Sequence, residues 1–190
     1  LDDLDADFME RTSVAFADAV ISPSRYLLRW MSDNGWSFPD RVEVMPYLMP
    51  GALEPEEAAR LPVKGVAEVV FFGRLETRKG LRLFCEAVER LERLERTGPM
   101  PQVTFLGKAM TIDRLDSRSW IERRAGSWQR NPRILTDLGW QEAIDYLKGP
   151  GRIAVIASHV DNLPNTVLEC LAYGIPFLAS DVGGIPELLD

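Results

Sequence analysis

Five short apolar runs, at residues 67–72, 102–106, 133–136, 152–157 and 175–179, alternate with helix-patterned segments at about 80–96, 116–129, 141–148 and 165–173. Apolar runs this short, bounded by turn residues, read as strands buried on both faces, and the longer amphipathic stretches read as helices. Their regular alternation predicts an α/β fold, a doubly wound parallel sheet of Rossmann-like type with helices on both faces. If the strands follow the common order 3-2-1-4-5, the first ("AEVVFF") and fourth ("RIAVIAS") are neighbours whose connections leave in opposite directions. A ligand crevice then opens between them at the carboxyl ends. The two loops facing it are "GRLETRKG" and "SHVDNLPN", the most unusual loops of the chain.

Residues 1–50 read as helix, short strand ("AVIS"), helix and strand ("RVEVM"), and a proline-punctuated connection from "MPYLMPG" to "RLPVKG" marks a domain boundary. The chain starts at Leu1 inside a helical pattern and stops at "GIPELLD" as another helix begins, so we read it as an excised piece of a longer protein. With 190 residues, 46% of them hydrophobic, it has material for one full domain and a remainder. A net charge of -7 argues against a nucleic-acid partner, which would demand an excess of lysine and arginine. No apolar run approaches the ~20 residues of a membrane helix, and nothing resembles a secretory signal, so a cytoplasmic location is expected. Cys85 and Cys170 each lie in an apolar helical pattern and read as buried free thiols. The single histidine, His159, leaves no basis for zinc chemistry, and no metal site is expected.

"GRLETRKG" places Arg74, Arg78 and Lys79 between Gly73 and Gly80, after a strand and before a helix. Glycines admit close backbone approach, the cations supply charge, and the helix amino terminus adds its dipole, a combination suited to a diphosphate. The plainer alternative is a solvated basic loop. It is neither a P-loop, since Gly80 follows Lys79, nor a dinucleotide fingerprint, since the G-x-G-x-x-G spacing is missing.

In "DNLPNTVLE", Asp161, Asn162 and Pro164 suit the opening of a helix, and the backbone N–H groups from Leu163 through Asn165 to Thr166 would point into the crevice. Asn165, Glu169 and Tyr173 form a polar stripe on an otherwise apolar helix. Glu169 there suits a vicinal diol, such as a ribose, whose hydroxyls it would accept; an ordinary exposed glutamate is the alternative. "DVGGIPE" reads as a tight architectural turn, with a second anion cradle as the other reading. Trp140 follows the third strand, where it would border a base or belong to the core. Arg114, Arg118, Arg123, Arg124, Arg130 and Arg133 read as a solvated helix with ion pairs, or else as a face for an anionic acceptor or a membrane surface.

Taken together, "FFGRLETRKG" and "DNLPNTVLECLAYGIPFLASDVGGIPEL" resemble the donor-binding domain of retaining glycosyltransferase family 4, the group 1 transferases of GT-B fold. The resemblance covers roughly residues 66–190 and extends weakly over "ADAVISPSRYLLRWM" and "VEVMPYLMPG". It implies that residues 1–50 end the amino-terminal acceptor domain, 51–65 form the interdomain linker, and 66–190 are a nucleotide-sugar-binding domain truncated at its carboxyl end.

Carried over residue by residue, the family's phosphate-binding pair falls on Arg74 and Lys79, with Gly73 beside them. Its two acids, separated by seven residues, fall on Asp161, which would contact the donor sugar, and Glu169, which would hold the ribose. The amides of Leu163, Pro164, Asn165 and Thr166 mark the phosphate-side turn, and Trp140 and Gln141 match the base-holding segment. Position 161 departs from the family in carrying aspartate for glutamate, a side chain shorter by roughly 1.5 Å. The resemblance implies transfer of a hexosyl-type sugar from a UDP- or GDP-sugar to an acceptor hydroxyl with retention, without a separate cofactor. The acceptor would be a glycan, a lipid-linked glycan or a small molecule, with peripheral membrane contact in the full-length protein. A catalytically inactive nucleotide-sugar-binding module and a sugar-nucleotide epimerase on the same fold are the competing readings.

Overall fold

In the computed structural model, residues 2–47, 65–94 and 99–189 are described. The expected linker at 51–65 therefore lies outside the described residues except for Gly65. The chain divides into two compact units. One is Leu1–Leu48 with Asp161–Pro164 and Asp181–Asp190; the other is Met49–Val160 with Asn165–Ser180.

In the first unit, helix α1 (Asp2–Ala15) precedes strand β1 (Val20–Ser22), helix α2 (Arg25–Asp33) and strand β2 (Val42–Val44). The two strands pair in parallel, Val20 opposite Val42 and Ser22 opposite Val44. Helix α2 starts where it does because its first-turn amides are satisfied twice over. The Ser24 hydroxyl accepts from the Leu27 amide at 3.1 Å, and the Glu187 carboxylate accepts from the amides of Arg25 at 2.7 Å and Tyr26 at 2.6 Å. Glu187 belongs to the "DVGGIPE" turn, which ends in a short 3-10 turn at Pro186–Leu188. A β-carbon on Gly183 would meet the Asp161 carbonyl oxygen at 1.8 Å, and one on Gly184 the Asn162 carbonyl oxygen at 1.7 Å. Neighbouring backbone fills the space at both glycines, so the turn is architectural.

The second unit is built on five strands, β3 (Glu68–Phe72), β4 (Gln102–Leu106), β7 (Arg133–Leu135), β8 (Arg152–Ile156) and β9 (Phe177–Ala179). All pair in parallel in the order β7-β4-β3-β8-β9, which is the expected 3-2-1-4-5. Helices α3 (Leu81–Arg93), α4 (Ser117–Arg124), α5 (Trp140–Leu147) and α6 (Asn165–Ala172) fall in the expected segments. The sequence reading missed a two-residue hairpin, β5 (Thr111–Ile112) with β6 (Leu115–Asp116). Its turn residues Asp113 and Arg114 take positive φ of 49° and 64°, the mirror-image turn a tight hairpin needs, built without glycine or asparagine.

Strand alternation sends Phe71 and Phe105 to one face, where each ring lies within 6.1 Å of the other and 5.4 Å from Phe84 of α3. Cys85, Val88, Ile121 and Trp128 complete this aromatic core. The opposite face carries Glu68 and Thr104, covered by Tyr146 of α5. Glu68 is buried, and its carboxylate accepts from the Thr104 and Tyr146 hydroxyls and from Arg152 Nε at 2.8 Å, with Arg133 at 3.5 Å. Burial alone would raise its pKa, but the bonds from Thr104, Tyr146 and Arg152 outweigh that and hold it below the ordinary carboxylate range.

A carboxylate with a lowered folded pKa contributes stability that is present above its unfolded value and lost as pH falls through the folded one. Glu68→Gln leaves the half-buried Arg152 without its counter-charge. It is expected to cost about 3 kcal/mol at neutral pH and to flatten the acid limb of the stability profile, as measured by urea unfolding at several pH values. An unchanged midpoint at pH 7 would show that the network contributes nothing.

Candidate functional site

Every strand of the sheet ends on the same side, so the loop after β3 and the starts of α5 and α6 share the carboxyl edge. The loop Gly73–Gly80 is held there by backbone. Gly73 donates to the Leu106 carbonyl at 3.0 Å, Leu75 to Lys108 at 3.0 Å, and the His159 amide to the Arg78 carbonyl at 3.0 Å. A β-carbon on Gly80 would lie 1.7 Å from the Ala157 carbonyl oxygen, and one on Gly107 2.0 Å from that of Gly73. Both positions accept only glycine. Gly73 itself, at φ +149°, faces open space where a side chain would stand.

Gly73, Arg74 and Lys79 all lie on this loop. Arg74 and Arg78 are exposed and Lys79 is half-buried. A residue that the sequence reading passed over organises them. Glu76 accepts from Arg74 Nη2 at 3.1 Å and Arg78 Nη2 at 3.3 Å, so one carboxylate oxygen separates two guanidinium groups. The alternation Arg74, Glu76, Arg78 carries that signal in the sequence.

Glu169 lies on α6 with only 9% of its surface exposed. This corrects the simple picture of a polar stripe: Asn165 is exposed and Tyr173 half-buried, while the acid between them is covered. Leu171, an apolar residue of the same helix, is exposed. The cover includes Trp140, whose indole N–H donates to Glu169 Oε1 at 2.9 Å and whose ring meets Tyr173 edge-on at 5.7 Å. Trp140 is thus no core residue; it opens α5 and remains 50% exposed. The Glu142 carboxylate accepts from the Gly139 amide at 2.7 Å, fixing the first turn on which Trp140 stands. Gln141 points elsewhere, with Nε2 donating to Asp145 Oδ1 at 3.1 Å on the exposed side of the same helix.

Burial raises the pKa of Glu169, and the Trp140 hydrogen bond opposes that rise without cancelling it. Its neighbour Cys170 is a buried free thiol pushed far up by burial and by Glu169 itself, as is Cys85, raised to about 12. Neither is a nucleophile in this state. Thr166 is half-buried in the first turn of α6. Asp161, Leu163 and Pro164 are all buried and belong to the first unit, where the Asp161 carbonyl accepts from the Gly184 amide at 3.0 Å. Among the described residues no cluster of acids, histidines and cysteines is arranged to hold a metal ion, and no helix is long and apolar enough to cross a membrane.

Comparison with known proteins follows the same segment. Residues 67–190 match the family profile described as "Glycosyl transferases group 1". A glycogen synthase of Mycobacterium tuberculosis is 33% identical over 132 residues, covering 68% of this chain and 30% of that protein. Among solved structures, sucrose-phosphate synthase from Thermosynechococcus elongatus superposes with a TM-score of 0.72 at 19% identity, over 96% of this chain and 45% of that one. HepE from Anabaena, solved in complex with UDP-glucose, gives 0.69 at 19% identity, over 94% of this chain and 49% of that one. The chain thus spans about a third of the curated relative and about half of each solved neighbour. The family match covers well over half of the chain and takes in the loop of Arg74 and the helix of Glu169, and on that ground the chain belongs to the group 1 glycosyltransferases.

Proposed function

We propose that the protein transfers a hexosyl-type sugar from a nucleoside diphosphate sugar to an acceptor hydroxyl, and that the second unit carries the nucleotide. The observation that carries this reading is the buried, incompletely satisfied carboxylate of Glu169 at the same sheet edge as the cationic loop. A desolvated acid with a single indole donor is costly to keep in the fold unless a ligand completes its hydrogen bonds. A ribose diol supplies two hydroxyl donors and fits an acceptor-only carboxylate. Arg74 and Lys79 supply positive charge where a departing diphosphate accumulates negative charge, while the anomeric carbon becomes oxocarbenium-like. That electrostatic role needs no separate cofactor. Retention at the anomeric carbon follows from the family resemblance and is part of the proposal. Of UDP and GDP, UDP is the first choice, since HepE is described with UDP-glucose. The acceptor is a glycan, a lipid-linked glycan or a small molecule.

A second reading, a module that binds the donor without transferring it, is favoured by Asp161 at the position where the family carries glutamate. Asp161→Glu in the full-length protein separates the two. We expect sugar-transfer activity to fall, as for a site tuned to the shorter acid; a large gain would mark Asp161 as the cause of lost catalysis.

The donor reading itself is tested by calorimetric titration with UDP, GDP and ADP. One nucleotide is expected to bind selectively, and Arg74→Ala and Glu169→Ala are each expected to weaken it about tenfold or more. Binding unaffected by either change, or none by the folded protein, would sink the assignment. Glu169 carries a linked signature in stability. A carboxyl whose folded pKa is raised costs stability as pH climbs from its ordinary value through the folded one. Glu169→Gln is therefore expected to raise the unfolding free energy of the ligand-free protein by about 1 kcal/mol at pH 8 and not at pH 4, read from denaturant melts.

A further inference from the structure

The strongest unassigned feature is the cluster Trp140, Tyr173, Lys148 and Glu169. We propose that Trp140 is a positioning residue for the nucleotide ribose: its indole N–H pins one oxygen of the Glu169 carboxylate so that the other faces the ribose hydroxyls. This rests on the reading of Glu169 as the ribose acceptor.

An indole N–H only donates, so its 2.9 Å contact with Oε1 favours the ionised carboxylate, whose other oxygen then keeps two lone pairs for a diol. The bond uses one of about four lone-pair positions and leaves Oε2 whole. The ring is braced for the task. Its edge contact with Tyr173 is 5.7 Å between centroids at 68°, and the Lys148 ammonium sits 4.8 Å from the centre of the Tyr173 ring. The cap at Gly139 fixes the backbone beneath it. A half-exposed tryptophan held this way presents its free flank to solvent while its polar edge is committed to one acid.

The ionisable groups of this cluster are Cys170, Tyr173 and Lys148. Cys170, adjacent in sequence, stays a neutral thiol because burial and Glu169 both raise it. Tyr173 lies one turn along α6 from Glu169, and Lys148 closes α5. Removing the indole donor thus acts on one titration, that of Glu169, whose pKa burial already lifts.

The test compares UDP with 2′,3′-dideoxy-UDP, which carries the same titrating diphosphate but offers no ribose diol, at pH 6 and pH 8.5. Trp140→Phe is expected to bind UDP about tenfold more weakly than wild type, with the loss smaller at pH 8.5 than at pH 6 but still present there. With the dideoxy analogue it should stay within about twofold of wild type at both. Circular dichroism and melting temperature establish that the variant folds. If it does not, β-(3-benzothienyl)alanine at position 140 keeps the ring shape without the N–H and takes its place.

A loss equal for the two nucleotides means a merely structural tryptophan and overturns the proposal, as does no change at all. Glu169→Gln distinguishes the underlying reading. If it abolishes the preference for UDP over the dideoxy analogue, Glu169 is the ribose acceptor and the Trp140 result stands alone. If the preference survives, the assignment of Glu169 fails and takes the proposal with it.

Discussion

The central strand β3 is paired along both edges and covered on both faces, so its one charged side chain, Glu68, must be satisfied by its own neighbours. It is: the partners come from β4 (Thr104), β8 (Arg152), β7 (Arg133) and α5 (Tyr146). A slip of one residue would turn Glu68 toward the aromatic face of Phe71, Phe84 and Phe105, away from Thr104, Tyr146 and Arg152. The acid therefore specifies register across four of the five strands. Register in turn decides that Gly73, Gly107 and Ala157 meet at the far end of the sheet.

The two buried glutamates of this unit stand in opposite circumstances. Glu68, at the amino end, has more donors than it needs, and its pKa is lowered. Glu169, on the helix at the carboxyl edge, has burial opposed by a single tryptophan bond, and its pKa is raised. One acid is spent on the fold, while the other keeps acceptor capacity that the fold leaves unused. The cationic loop shows the same economy. Its path is fixed by glycine positions that admit no side chain, which leaves Arg74 and Arg78 exposed and joined through Glu76.

The sheet was legible in the sequence because its signals are local and strong. Runs such as "EVVFF" and "RIAVI" are too short and too β-branched or aromatic to be anything but buried strands, and their order followed from a common topology. The β5–β6 hairpin was not legible, since Asp113 and Arg114 adopt a left-handed turn that glycine or asparagine would normally announce. The cationic loop was readable from its glycines and charges. The environment of Glu169 was only half readable: the acid in an apolar helix was visible, but the indole that covers it comes from another helix, 29 residues earlier, and no local pattern encodes such a meeting. Leu171 shows the reverse failure, an apolar residue left exposed because helix periodicity says nothing about which sides a neighbour covers.

Helix α2 in the first unit is capped by Glu187, 162 residues beyond Arg25 in the chain. That unit is discontinuous, with its last pieces, Asp161–Pro164 and Asp181–Asp190, synthesised after nearly all of the parallel sheet. As the chain leaves the ribosome, the sheet-bearing unit acquires its full set of strands while α2 still lacks the anion at its amino terminus. Closing a loop of that length is entropically unfavourable until the intervening residues are compact. The cap of α2 is therefore completed only by residues that lie beyond every strand of the parallel sheet in the chain.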